Sequence, residues 1–171
     1  MKLIKPITVQ HMLEIRKMYV ERAEWLRTKG IAQWGDVDTR YSVERLCTLA
    51  VEGTLYALEH EGKILAAAAV FSKDKMWENT NFALKNVLYV HGLVSVKNHT
   101  LSTQIASPGK MMLKMIEAKA LLADKTHVAL DCRKENTPLV NFYEENGYTE
   151  RFEKTYSTGA KASLRAKYLR G

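Results

Sequence analysis

The stretch Gln104-Ile-Ala-Ser-Pro-Gly-Lys110 carries the residue types of an anion site. Ser107 is a good N-cap and Pro108 a good first helical residue, so a helix should open here. The amides of Gly109 and Lys110 would then be free, with the positive end of the helix dipole behind them. A lysine beside such amides suits a phosphate or carboxylate. The same residues also make an ordinary capped helix start. Other phosphate and nucleophile motifs are absent. A P-loop needs Gly at position 104 and Ser or Thr after the Gly-Lys pair, where this chain has Gln104 and Met111. Neither a G-x-G-x-x-G dinucleotide fingerprint nor a G-x-S-x-G elbow occurs.

A second segment runs Leu130-Asp-Cys-Arg-Lys-Glu-Asn136-Thr-Pro-Leu-Val-Asn-Phe-Tyr143-Glu-Glu-Asn-Gly-Tyr148. It reads as a strand end, a polar turn with Asn136, a helix carrying Tyr143 and a Gly-aromatic pair opening the next strand. His11, His60, His99 and His127 show no metal-ligand spacing, and no metal is expected.

Elements of known period must position these residues. Residues 2–5 read as a strand. Thr8 to Thr28 reads as a helix, with Val9, Met12, Leu13, Tyr19, Val20, Ala23 and Leu26 on its apolar face and Gly30 at its C-terminal cap. Ile31–Tyr41 reads as a loop, and Ser42 caps a short helix over Val43–Val51. Thr54–His60 and Lys63–Ser72 form a hairpin about Glu61-Gly62. A polar loop runs over Ser72–Leu84, a buried strand over Val87–Val96 and a polar connection over 97–106. The helix Pro108–Asp124 has Met112, Leu113, Ile116 and Ala120 on its dry face and Lys110, Lys114, Glu117 and Asp124 on its wet one. A strand over Thr126–Cys132, a helix over Pro138–Asn146 closed by Gly147, and strands over Tyr148–Ser157 and Lys161–Leu169 complete the order. The crossover from residue 87 to 132 implies one parallel pair in a mostly antiparallel sheet.

At 171 residues the chain suits one domain, and 46% hydrophobic with 26% charged residues argues against disorder. The start lacks a signal peptide's apolar run, and no stretch approaches the roughly 20 apolar residues of a membrane helix. Cys47 and Cys132 make no CxxC, so the expected setting is a reducing cytoplasm. The formal charge of +7 is concentrated near the end. Residues 151–171 hold Arg151, Lys154, Lys161, Arg165, Lys167 and Arg170 against the single acid Glu153. Such a tail could meet nucleic acid, a membrane surface or an anionic cofactor, but no aromatic-basic interleaving accompanies it, and charged outer strand faces are the preferred reading for most of these charges.

Together these features resemble the GNAT superfamily of N-acetyltransferases. Gln104-x-x-Ser107-x-Gly109 is similar to that family's [R/Q]-x-x-G-x-[G/A], with Ser107 where the family prefers Gly. Glu135-Asn136…Phe142-Tyr143-Glu144…Gly147-Tyr148 is similar to its E-N-…-F-Y-…-G-F. The Leu93-Val94 strand end and the strand order match as well, while the stretch from Val94 to Gln104 is a few residues longer than usual.

The resemblance implies a single GNAT-like α/β domain over 1–171. Its mixed, mostly antiparallel sheet would carry helices on both faces and be splayed between strands 4 and 5. It implies acetyl-CoA as co-substrate. The pantetheine would pair with the backbone of Leu93 and Val94, and the pyrophosphate would take amides from the loop of Gln104, Ala106, Ser107, Gly109 and Lys110. Asn136 would hydrogen-bond the pantetheine arm, and Tyr143 would reach the sulfur as general acid. His91, two residues before Leu93, becomes the candidate base because its unperturbed pKa suits an ammonium near neutrality. A core or rim histidine is the plain alternative, as are Asp131 and a water chain for the base. Trp34 and Trp77 lie in the two loops that should flank the acceptor; each is either a substrate contact or a core anchor. Cys132 reads as an apolar filler. The expected acceptor is a primary amine of a small molecule, with a peptide amine or a non-catalytic basic binding module as alternatives. No nucleic acid or membrane partner is expected, and a homodimer is among the forms the resemblance allows.

Overall fold

The structure is a computed structural model that describes residues 1–6, 8–31, 33–80, 86–96 and 107–169. Its elements are β1 (Lys2–Ile4), α1 (Val9–Thr28), α2 (Val37–Arg40), α3 (Val43–Val51), β2 (Leu55–His60), β3 (Lys63–Phe71), β4 (Val87–Ser95), α4 (Pro108–Leu122), β5 (His127–Arg133), α5 (Thr137–Glu145), β6 (Thr149–Thr155) and β7 (Lys161–Tyr168). The strands follow the order β1-β2-β3-β4-β5-β7-β6 in one seven-stranded sheet. The expected parallel pair is β4 with β5, in register from Val87↔His127 to Val90↔Leu130; β4 continues to Ser95 and β5 to Arg133. Among the described residues no helix is long and apolar enough to cross a membrane.

The chain forms two compact units. The first is Met1–Val70 with Gly92–Met115. Here β1 pairs with β2, and β2 with β3, all antiparallel. The turn uses Glu61 and Gly62, both at positive φ, the pairing a tight hairpin favours. Thr8 caps α1 by accepting from the His11 amide, and Ser42 caps α3 by accepting from Arg45. The buried stripe of α1 is Met12, Ile15, Met18, Tyr19 and Leu26. Val9 and Leu13, expected on that face, are 64% and 49% exposed. The helix has apolar residues on several sides, so periodicity left its rotation open. The expected loop before α3 contains the single turn α2, where Arg40 bonds Asp36.

The second unit is Phe71–His91 with Ile116–Gly171. β7 pairs antiparallel with β5 on one side and β6 on the other. The dry face of α4 is as expected, since Met112, Leu113, Ile116 and Ala120 are all fully buried. Glu117, expected on the wet face, instead accepts from Tyr148 Oη at 2.9 Å and Lys167 Nζ at 2.8 Å.

Helices α1, α3, α4 and α5 end in one way. At α5, the Gly147 amide bonds the Glu144 carbonyl and the Tyr148 amide the Tyr143 carbonyl, both at 2.9 Å. Gly147 takes φ 85, and the Tyr148 ring meets the Tyr143 ring at 6.0 Å. This is a Schellman stop with its apolar clasp. At α1 and α3 the left-handed residue is Gly30 or Gly53, and at α4 it is Asp124.

Candidate active site

The start of α4, from Ser107 onward, folds largely as its residues dictate. Ser107 caps the helix, Gly109 is buried and the Lys110 side chain is exposed. One expectation needs correction: the Lys110 amide donates to Ser107 Oγ at 3.3 Å, so the cap engages it. Gln104 and Ala106 lie outside the described residues. Leu93 is half-buried and Val94 buried on β4. Between His91 and Leu93, Gly92 turns the strand at φ 60. Its carbonyl accepts from Tyr19 Oη at 2.5 Å. The Tyr19 ring stacks on Tyr41 at 3.6 Å, and Trp34 meets both edge-on at 5.4 and 5.6 Å. Trp34 is half-buried and holds φ 59, a left-handed conformation uncommon for a bulky residue. Burial, with the neighbouring Tyr41 second, pushes the Tyr19 phenol well above its usual range, so it acts here as a hydrogen-bond donor.

In the second unit, Asn136 is buried and caps α5, accepting from the Leu139 amide at 3.3 Å. Tyr143 is buried in the last turn of α5, its ring against Phe142 and Tyr148. That end of the helix is tied down by Arg165, which sequence reading took for an outer-face charge and which is 2% exposed. Arg165 donates to the Tyr148 carbonyl, Ser163 Oγ and Glu144 Oε1, the last at 2.6 Å. Other basic residues near the end are also paired, Lys167 with Glu117 and Lys161 with Glu153.

Trp77 resolves as an anchor. It is 4% exposed and packs with Val87, Tyr89, Ala129, Ala162, Leu164 and Ala166. Its placement against an acceptor is therefore corrected: the ring fills the core beneath its loop. Cys132 is the expected buried filler, its thiol pushed up to about 12 chiefly by burial, too high for a thiolate nucleophile.

His91 is the centre of a polar cluster that sequence reading only half found. Its Nε2 lies 2.7 Å from Asp74 Oδ2, and its Nδ1 lies 3.8 Å from Asp131 Oδ1. The other Asp74 oxygen accepts from the Met76 amide at 2.7 Å, an Asx turn. Tyr156 Oη donates to Asp131 Oδ2. The Phe71 ring stands edge-on to the imidazole at 5.5 Å. Burial opposes the Asp74 charge, but hydrogen bonding to His91 and Met76 outweighs it and holds the carboxyl below its usual value. Burial, then the Asp131 charge, pushes the Tyr156 phenol up. Asp74 stands 17 residues before His91, and its one local signal was an aspartate at the start of a turn.

No family model matches the chain. An uncharacterized N-acetyltransferase, YesJ, of Bacillus subtilis (strain 168) is 22% identical over 148 residues, covering 84% of this chain and 79% of that one. An acetyltransferase of the GNAT family from Listeria monocytogenes 4b F2365 superposes with a TM-score of 0.74 at 20% identity, covering 98% of this chain and 94% of the other. The PaiA N-acetyltransferase from Thermoplasma acidophilum, in complex with coenzyme A, gives 0.71 at 14% identity over 98% of each chain. The resemblance to the GNAT superfamily is borne out, and the fold is the GNAT fold.

Proposed function

We infer that this GNAT-fold chain is an acyl-CoA-dependent N-acetyltransferase. It moves an acetyl group from acetyl-CoA to a primary amine of a small molecule. The observation that most supports this is end-to-end likeness to proteins named as acetyltransferases, one of them with coenzyme A bound.

The chain's own residues fit the cofactor's parts. Acetyl-CoA supplies a thioester, and the pyrophosphate is met by the loop from Gln104 to Lys110. Ser107, where the family prefers Gly, fits this role: while accepting from the Lys110 amide, its hydroxyl keeps an O–H to donate to an anion. The backbone of Leu93 and Val94 aligns the pantetheine. Asn136, buried and with Oδ1 on the Leu139 amide, is the residue that the resemblance sets against the arm.

In the reaction the amine nitrogen attacks the thioester carbonyl, the C–S bond breaks, the thiolate takes the proton of Tyr143 Oη, and the second N–H proton, released as the amide forms, restores the Tyr143 phenol through water. A phenol is matched in basicity to a leaving thiolate when it is positioned beside it. The amine arrives as an ammonium and loses a proton to His91. Ion pairing of Lys161 and Lys167 and burial of Arg165 weigh against a basic binding module.

Calorimetry with coenzyme A, and thiol release from acetyl-CoA with small amines and peptides as separate arms, test the reading. Micromolar cofactor binding and turnover with small amines are expected; no cofactor binding would overturn it.

A further inference from the structure

β4 changes character at Gly92. Its register with β5 ends at Val90↔Leu130, yet the strand runs on to Ser95. At Gly92 the backbone takes φ 60, a conformation that regular strand does not use, and this turns the peptide out of the ladder. A half-buried carbonyl turned in this way needs another donor, because an unmet one costs about as much as a lost hydrogen bond. The donors come from α1. Tyr19 Oη donates to the Gly92 carbonyl at 2.5 Å, and Arg22 Nη2 donates to the Ser95 carbonyl at 3.2 Å.

The two donors stand three residues apart, on one face of the helix. The carbonyls they hold flank Leu93 and Val94. Each donor is braced in turn. Tyr19 stacks on Tyr41 at 3.6 Å and meets Trp34 edge-on, and the Arg22 guanidinium lies over the Trp25 ring at 5.3 Å. Burial pushes the Tyr19 phenol up, so this donor is kept in mildly alkaline solution. A further bond, from the Val96 amide to the Leu65 carbonyl at 2.9 Å, holds the chain just past Ser95. All of these groups belong to the first unit. A strand inside a sheet takes its orientation from ladder bonds on both edges. Past the end of the β5 register, side chains of α1 supply orientation instead.

We propose that Tyr19 and Arg22 are positioning residues for coenzyme A, a two-point clamp that sets the peptide planes of Leu93 and Val94 for the pantetheine arm. The inference rests on the reading in which that arm pairs with the backbone of Leu93 and Val94. An arm that meets peptide groups already oriented loses less freedom to order them, so the clamp acts on affinity for the arm and not on bond making. Because it holds backbone, it leaves the side chains at 93 and 94 open to change.

Tyr19→Phe keeps the ring against Tyr41 and Trp34 and removes one donor; Arg22→Met keeps an apolar stem and removes the other. The probes are coenzyme A and 3′-phospho-ADP, the same molecule without its arm. Calorimetry gives the first affinity, and displacement of coenzyme A gives the second. We expect each variant to bind coenzyme A about 3- to 10-fold more weakly, the worth of one neutral hydrogen bond, with 3′-phospho-ADP unchanged. Arg22→Lys keeps a donor and should fall between wild type and Arg22→Met. Unchanged coenzyme A affinity in the folded variants overturns the proposal. An equal loss for both probes also overturns it, since general damage to the fold would do the same. If Tyr19→Phe does not fold, the Arg22 series decides alone. A wild type that binds no coenzyme A removes the acetyltransferase reading and the clamp with it, whereas a binding wild type with indifferent variants removes the clamp alone.

Discussion

Replacing Gly92 by alanine tests whether the turn in β4 is held by the aromatic pair beside it. Two costs are separable. The first is conformational: at φ 60 an L-residue pays roughly 1–2 kcal/mol for the left-handed backbone. The second is steric. A Cβ at this position would lie 2.9 Å from Tyr41 Oη, 3.0 Å from Tyr19 Oη and 3.1 Å from Tyr41 Cε1. Neither phenol retreats easily, because Tyr19 is buried, stacked on Tyr41 and hydrogen-bonded to the Gly92 carbonyl. Overpacking of that kind costs about 1–3 kcal/mol, for a total near 2–5 kcal/mol. Gly147→Ala is the control. Gly147 has φ 85, but its Cβ would first meet the Lys167 stem at 3.4 Å, ordinary contact, so only the conformational cost of about 1–2 kcal/mol applies. Urea unfolding followed by tryptophan fluorescence gives both values. If Gly92→Ala loses no more stability than Gly147→Ala, the tyrosines do not fix the turn and the steric argument is wrong.

Tyr143→Phe keeps the ring against Phe142 and Tyr148 and removes only the hydroxyl; on the proposed general-acid role kcat should fall about 10²–10⁴-fold with coenzyme A affinity little changed, read where chemistry limits the rate. Gly109→Glu puts a negative side chain at the first turn of α4, and calorimetry should show clearly weaker coenzyme A binding in a folded variant. Arg165→Met leaves the Tyr148 carbonyl and the buried Ser163 hydroxyl without their donor while the Glu144 and Glu150 carboxylates still reach water, so thermal or urea unfolding should register a loss of about 1–3 kcal/mol. Glu150 sits below its ordinary 4.5, chiefly through the Ser163 hydroxyl and then Lys134. Its ionised form therefore stabilises the fold above that pH, and the contribution is lost as pH falls through the folded value. Glu150→Gln should flatten the acid limb of stability below about pH 4.5, measured by circular dichroism at a series of pH values.

Features fixed by near neighbours were legible in the sequence. Ser42 and Ser107 were read as caps because hydroxyl capping is local, and Gly30 and Gly147 as helix stops because few residues tolerate positive φ. The dry face of α4 was legible because polar residues bound it. The face of α1 was not, because Val9, Leu13 and Val20 extend its apolar surface around the helix. Asp74 and Arg165 were missed for another reason. Each gains its meaning from partners far along the chain, His91 for the one and Glu144 with Tyr148 for the other. Trp77 showed the limit of composition: a tryptophan in a polar loop reads the same whether its ring faces solvent or fills the core.

The stop at the end of α5 divides labour between two positions. Tyr143 contributes its carbonyl to that stop, a group every residue has, while Gly147 contributes a backbone shape that few residues adopt. The side chain at 143 supplies the other half of the clasp, because its ring meets that of Tyr148. A replacement there must keep an apolar surface toward Tyr148 if the helix is to end in the same place. Position 147 is constrained differently, by its backbone shape and not by any contact, and has to stay glycine.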